Sequence, residues 1–207
     1  MSPRDPLVHP IPILDLRPTQ MTVGMREVKE KRKRWRAQKS EKKRAEILGR
    51  RMIPVVHGPD DRYYVVDHHH LARALHEEDV KNVLVTIIAD LRMVDRSAFW
   101  GVLDNKRWCY PYDASGERRP FKDIPKTIAE LKDDPYRSLA GELRRAGGFA
   151  KDTTPFSEFL WADFLRRNVS RKLVKDDFSR ALEQAIAAAK SHNAVYLPGW
   201  CGPADDS

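Results

Sequence analysis

Asp67-His68-His69-His70 places one carboxylate and three imidazoles in four consecutive positions. Imidazole changes charge near neutral pH, so such a cluster can donate to phosphate or move protons. The tetrad lies between two patterns. Arg62-Tyr63-Tyr64-Val65-Val66 reads as a strand, and Leu71-Ala72-Arg73-Ala74-Leu75 reads as the start of an amphipathic helix. The first turn of a helix leaves backbone N–H groups unpaired and carries partial positive charge, which makes it a ready anion site. The residues therefore point to phosphate held by His68, His69 and His70. Asp67 would bind Mg²⁺ or accept a proton, or it would simply cap the helix. His69 and His70 are neighbours, so on a helix they point ~100° apart. One metal ion held by both is not expected; one ring facing phosphate and the other bonded to the fold is.

The elements that must carry this corner are legible on either side of it. Ile11 to Leu16, followed by Arg17-Pro18-Thr19-Gln20, reads as a strand and turn. Ile53-Pro54-Val55-Val56 and Tyr63-Tyr64-Val65-Val66 flank Gly58-Pro59-Asp60-Asp61, a hairpin pattern with turn residues at its tip. A helix is expected from about His68 to Glu78. The β-branched run Val83-Leu84-Val85-Thr86-Ile87-Ile88 then reads as a buried strand. Strand, helix, hairpin, helix and strand make a compact α+β unit with a mixed or largely antiparallel sheet.

Between the first strand and the hairpin, Gly24 to Leu48 reads as one long helix stopping at Gly49. Arg26 to Arg51 holds 13 Lys/Arg against four Glu, a net +9, while the whole chain carries +8. The excess positive charge is thus confined to one segment, which suggests nucleic acid or another polyanion as partner. Lys31, Arg32, Lys33 and Arg34 would contact phosphates, with Trp35 stacking on a base. A solvated helix face is the alternative.

After Arg96 the pattern turns helical. Ser97 reads as the cap of a helix to about Lys106. Further helices are expected near Pro125–Lys132, Tyr136–Ala146, Pro155–Val169 and Lys175–Lys190. Phe156, Phe159, Leu160, Phe164 and Leu165 form one apolar stripe; Phe178, Leu182, Ile186 and Ala189 form another, and both read as core. No run approaches the ~20 apolar residues of a membrane helix. The first residues, Met1 to Pro6, show no apolar signal core, so a cytoplasmic protein with no membrane partner is expected. Cys109 and Cys201 lack metal-ligand spacing and read as reduced thiols.

The hairpin followed by Val65-Val66-Asp67-His68-His69-His70-Leu71-Ala72-Arg73-Ala74-Leu75 resembles the ParB-like/sulfiredoxin superfamily. Leu16-Arg17-Pro18-Thr19-Gln20 with Val23-Gly24-Met25-Arg26-Glu27-Val28 resembles its ParB-like nuclease group more closely. The resemblance is strongest over residues 10–92. It implies a nucleotide or phosphate at the corner: ParB proteins bind CTP through a Gly-Glu-Arg-Arg box, and sulfiredoxins use a Gly-Cys-His-Arg arrangement with ATP. More distantly, the free serine kinases use an Asp-Gly-His-His-Arg box. Asp67, His69 and His70 match that box, whereas His68 replaces its glycine and Leu71 its arginine. The first change narrows close backbone approach; the second removes a bidentate phosphate contact, for which Arg73 is the replacement candidate. The kinases also place a catalytic glutamate in the early segment. Glu27 fits that role, or Gln20 occupies the position, in which case no base stands there. Gly116-Glu117-Arg118-Arg119 spells the ParB box but lacks a strand before it and a helix after it, so it reads as a polar turn.

The expected architecture is therefore a ParB/sulfiredoxin-like mixed sheet with helices over 10–95 and a mostly helical portion over 96–200. The expected function is nucleotide or phosphate binding (ADP, ATP or CTP, with Mg²⁺) at the corner, with phosphoryl transfer or phosphate-ester hydrolysis by Asp67, His69, His70 and Glu27. A phosphorylated small molecule would serve equally as ligand. The alternative is a non-catalytic nucleic-acid-binding module using residues 26–51.

Overall fold

A computed structural model describes residues 8–203. The start of the chain that lacks a signal core, residues 1–7, lies outside them. The chain divides into two compact units. The first runs to Val23 and resumes over Val28–Lys132; the second comprises Gly24–Glu27 and the residues from Asp133 onward. The passage from strand-rich to helix-rich sequence at 95/96 thus falls inside the first unit.

The first unit is built on a five-stranded mixed sheet of β1 (Val8–Pro12), β2 (Leu16–Pro18), β4 (Ile53–Gly58), β5 (Arg62–Val65) and β6 (Asn82–Asp90), in the order β1-β6-β4-β5-β2. β1 pairs antiparallel with β6, and β4 antiparallel with β5. The β4–β6 and β2–β5 pairs are parallel. The unit also holds β3 (Thr22–Val23), α2 (Glu41–Arg50), α3 (His69–Glu77), α4 (Arg96–Asn105) and, from Val28 on, the body of α1 (Met25–Arg36). The hairpin forms as its turn residues require, with Asp60 and Asp61 at φ 58° and 57°. The strand expected over 11–16 instead becomes two, because a short 3-10 turn at Ile13–Asp15 re-aims the chain from β1 to β2. Val56, Phe99, Leu103 and Cys109 form a buried cluster on this unit, with Tyr64 and Trp100 packed against it. Gly58 is needed there, since a Cβ would stand 2.7 Å from the Tyr64 ring and 2.8 Å from the Phe99 ring.

The single basic helix expected over 24–48 is two helices, broken at Ala37–Ser40, and Gly49 lies within the second rather than stopping it. The reason is apolar geometry. Trp35 and Ile47 on one continuous helix would lie ~18 Å apart along the axis and face ~120° apart. The break allows both to line one cavity, together with Leu71 and Leu75 of α3. Two other expectations change. Asp95, not Ser97, caps α4 by accepting from the Ser97 N–H at 2.8 Å. The helix expected over 125–132 is a single 3-10 turn at Ile128–Glu130, closed by the Thr127/Glu130 capping box. It goes no further because Leu131 is extended and the carbonyls of Ile128, Ala129 and Leu131 accept from Arg73.

The second unit contains α5 (Pro135–Arg145), α6 (Ser157–Asn168), α7 (Arg171–Asp176) and α8 (Phe178–Lys190). Lys132, the last residue of the first unit, opens a further two-residue strand, β7 (Lys132–Asp133), and its N–H donates to the Met21 carbonyl at 3.1 Å within that unit. The expected helix over 175–190 is interrupted at Asp177, whose side chain caps α8 by accepting from the Arg180 N–H at 3.1 Å. Leu139, Leu143, Trp161, Leu165, Ala181 and Ala185 are fully buried at the centre of this unit. The expected α6 stripe holds at Phe159, Phe164 and Leu165, which are buried, and differs at one position: Leu160 is 40% exposed, and Trp161 takes its place in the core. Trp161 stacks on Phe149 and donates its indole N–H to the Pro198 carbonyl at 2.9 Å, so its polar edge is satisfied where a leucine would leave that carbonyl without this donor. On α8, small residues, Ala181, Ala185 and Ala189, are buried, and Phe178, Leu182 and Ile186 pack partly covered beside them.

Candidate functional site

The corner is positioned by two neighbouring strands. β5 ends at Val65, and the parallel strand β2 ends opposite it, with Pro18 in register with Val65. The chain leaving β2 therefore passes beside the start of α3. Thr19, only 1% exposed, joins the two: its hydroxyl donates to the Val65 carbonyl at 2.6 Å, and its N–H donates to Nε2 of His69 at 3.2 Å. A backbone N–H can only donate, so Nε2 is the accepting nitrogen of His69 in this bond. His69, 4% exposed, is thus the ring bonded to the fold. His70, half-buried, is the other member of the expected pair.

His68 takes the left-handed conformation, φ 65° and ψ 24°, immediately before α3. A left-handed residue costs a non-glycine side chain energy but costs glycine none. The helical ladder then begins with the Ala72 N–H donating to the His68 carbonyl at 2.9 Å, and no side chain caps the helix. Nδ1 of His68 is buried and has no hydrogen-bond partner among the described residues. A buried imidazole nitrogen without a hydrogen-bond partner carries a desolvation cost.

Asp67 is exposed and folds back on its own corner, with Oδ1 accepting from the His68 N–H at 2.6 Å and Oδ2 3.9 Å from Nε2 of His68. It does not cap α3. Among the described residues no three His, Cys, Asp or Glu side chains gather as a metal site. Mg²⁺ is usually held by one or two carboxylates together with substrate phosphates, so a single carboxylate such as Asp67 would hold it only alongside a bound phosphate.

Arg73, one turn into α3, is engaged elsewhere. Its Nε donates to Glu77 at 2.8 Å, and Nη1 donates to the carbonyls of Ile128 at 3.2 Å, Leu131 at 3.1 Å and Ala129. The guanidinium anchors the 3-10 turn to α3; a phosphate would have to compete with that anchor. Gln20, 6% exposed, turns its amide onto the Thr22 carbonyl at 2.7 Å. Glu27 belongs to the second unit, where its carboxylate lies beside Gly141 and acts on Arg145 and Glu142.

The basic segment is partly neutralised from within. Arg32 pairs with Glu77 at 2.5 Å and with Glu78 at 2.6 Å, and Arg36 pairs with Glu78 at 2.7 Å. The hydrogen bond from Arg36 holds the Glu78 carboxyl below the usual glutamate range. Trp35 is 9% exposed, with Arg44 over its ring, so the indole expected to stack on a base is packed instead. Lys31 lines a cavity. Lys33 and Arg34 remain exposed. Gly116-Glu117-Arg118-Arg119 is a polar turn, as expected, in which Arg118 pairs with Asp104 and Arg119 with Asp113. Sequence reasoning passed over Thr19, which ties the corner together. Its signal was a small hydroxyl residue directly after Pro18, where a strand gives way to a turn.

A strand-to-helix corner of this kind, on a mixed sheet covered by helices, defines a ParB/sulfiredoxin-like α+β protein. The family model described as "Putative ParB-like nuclease" matches residues 9–167, and the chain belongs to that family. Among solved structures, it is similar to the protein Atu1540 from Agrobacterium tumefaciens. The two are 50% identical with a TM-score of 0.90, over 97% of this chain and 100% of that one. No curated protein matches the chain.

Proposed function

We propose that this ParB-like protein binds the phosphate of a nucleotide or phosphorylated small molecule at the Asp67–His70 corner and acts on it by phosphoryl transfer or phosphate-ester hydrolysis. The observation that carries the reading is His68: a left-handed residue at an uncapped helix start, whose buried ring nitrogen has no hydrogen-bond partner among the described residues. Phosphate oxygens accept, so the His68 ring would donate from Nδ1 and the positive end of α3 would face the anion. His69, pinned by Thr19, sets the orientation of the first helical turn. His70 is the group proposed to exchange a proton with the substrate. Asp67 would orient the attacking hydroxyl or water, its remaining oxygen accepting the proton that leaves. No step is assigned to a protein-bound metal; Mg²⁺ would enter only as the counter-ion of a nucleotide.

The test is a thermal-shift screen of ADP, ATP, CTP and GTP, with and without Mg²⁺, on the wild-type chain and on His70→Ala and His68→Ala. A nucleotide that raises the melting temperature of the wild type and not of the variants supports the corner as its site. Turnover of that nucleotide should then vanish in Asp67→Asn and His70→Ala; turnover kept in both overturns the catalytic assignment. A nucleotide that stabilises all three proteins equally overturns the site.

The second reading is a non-catalytic nucleic-acid-binding module. Its support is the family's nuclease description together with the exposed Lys33 and Arg34. Binding to DNA should weaken steeply with salt and be lost when Lys33 and Arg34 are reversed to Glu. Unchanged binding in that variant would leave the segment a solvated face.

A further inference from the structure

A cavity of about 250 Å³ lies in the first unit, where α1, α2 and α3 meet, and the corner reading makes no use of it. Its apolar wall comes from Trp35, Ile47, Leu71, Ala74 and Leu75. Its polar wall comes from Lys31, Arg34, Arg51 and the neutral amide of Gln38, and no acidic residue lines it. The acids of α3 are turned to other partners: Glu77 pairs with Arg32 and Arg73, and Glu78 with Arg32 and Arg36. Arg34 and Arg51 are exposed and form no ion pair among the described residues. An apolar wall and a polar one whose charges are all positive match a molecule with the same division. The break between α1 and α2 is what assembles the cavity, since it brings Trp35 and Ile47 to one place.

We propose that this cavity is a binding site for a small amphipathic organic anion, a short hydrocarbon or aromatic body carrying one carboxylate or phosphate. The body would take the place of water against Trp35, Ile47 and Leu75, and the anionic head would sit between Arg34 and Arg51. The volume lies below the ~300–1,000 Å³ of sites for drug-sized ligands, so the ligand is smaller than these. Apolar contact and charge contribute separately, because a neutral ligand of the same shape keeps the first and loses the second.

The experiment titrates the ¹⁵N-labelled full-length protein with sodium octanoate and, separately, with 1-octanol. Octanoate should shift the Trp35 indole and the backbone signals of Leu71, Ala74 and Leu75 saturably, and should bind at least tenfold more tightly than octanol. Arg34→Gln/Arg51→Gln should bring octanoate down to the affinity of octanol and leave octanol binding unchanged. Octanol binding as tightly as octanoate to the wild type overturns the proposal, and that comparison does not depend on the variant folding. So does saturation centred on other residues, or none at all. A single-stranded oligonucleotide that shifts these signals where octanoate does not would make the cavity part of a nucleic-acid surface, which also overturns it. None of these outcomes depends on whether a nucleotide binds at the corner.

Discussion

Replacing His68 separates the strain of the corner from its chemistry. The residue sits at φ 65°, ψ 24°. A left-handed conformation costs an L-residue about 1–2 kcal/mol, and glycine escapes that cost. Glycine also surrenders more backbone freedom on folding, which returns about 0.5–1 kcal/mol. His68→Gly and His68→Ala both delete the ring and its unpartnered Nδ1, so the difference between them isolates the backbone. His68→Gly should therefore be more stable than His68→Ala by roughly 0.5–1 kcal/mol, the remainder of those two terms. Urea unfolding of the three proteins, followed by both far-UV circular dichroism and tryptophan fluorescence, measures this. Two probes are needed because the chain has two compact units. His68→Ala as stable as His68→Gly, or more so, would refute the reading of a strained left-handed corner. The same pair tests the ring: if its nitrogen donates to phosphate, both variants lose nucleotide stabilisation, and His68→Gly does so while gaining backbone ease.

Other outcomes can be stated briefly. Arg73→Ala removes the donors to the Ile128, Ala129 and Leu131 carbonyls and to Glu77, and should cost about 2–3 kcal/mol in unfolding free energy, since bonds to a charged group are each worth about 1.5–3 kcal/mol and water replaces part of them; Arg73→Lys should recover less than half. Burial pushes the Cys109 thiol up to about 12, while Cys201 is exposed, so iodoacetamide at pH 8 should label one thiol of the native chain rapidly and the second only after unfolding, read by intact mass. The Glu78 carboxyl is held low by Arg36, so its folded-state value lies below its unfolded one; its contribution to stability is present above the unfolded pKa and is lost as pH falls through the folded value. Glu78→Gln should accordingly flatten the acid limb of the stability profile, and an unchanged limb would deny the pairing its role.

The sequence alone was sufficient for features governed by local physics. The hairpin around Gly58-Pro59-Asp60-Asp61 follows from turn residues between β-branched runs, and the α3 start follows from a polar box between two hydrophobic periods. The family itself was legible from that box and the Leu16–Gln20 segment. What the tertiary structure decided was which polar groups are already engaged. Arg73 reads as a phosphate ligand until the carbonyls of residues 128–131, more than fifty positions away, are seen to take its guanidinium. Trp35 reads as an exposed aromatic in a basic run, whereas in the fold it is 9% exposed with Arg44 of α2 over its ring. Thr19 looks like a turn residue until β2 aligns with β5 and brings it to His69. Each depends on a contact between residues distant in sequence, and periodicity and local propensity carry no term for such contacts. The left-handed conformation of His68 was not legible in the sequence, because the backbone path from β5 into α3 sets it and a histidine gives no local sign of it.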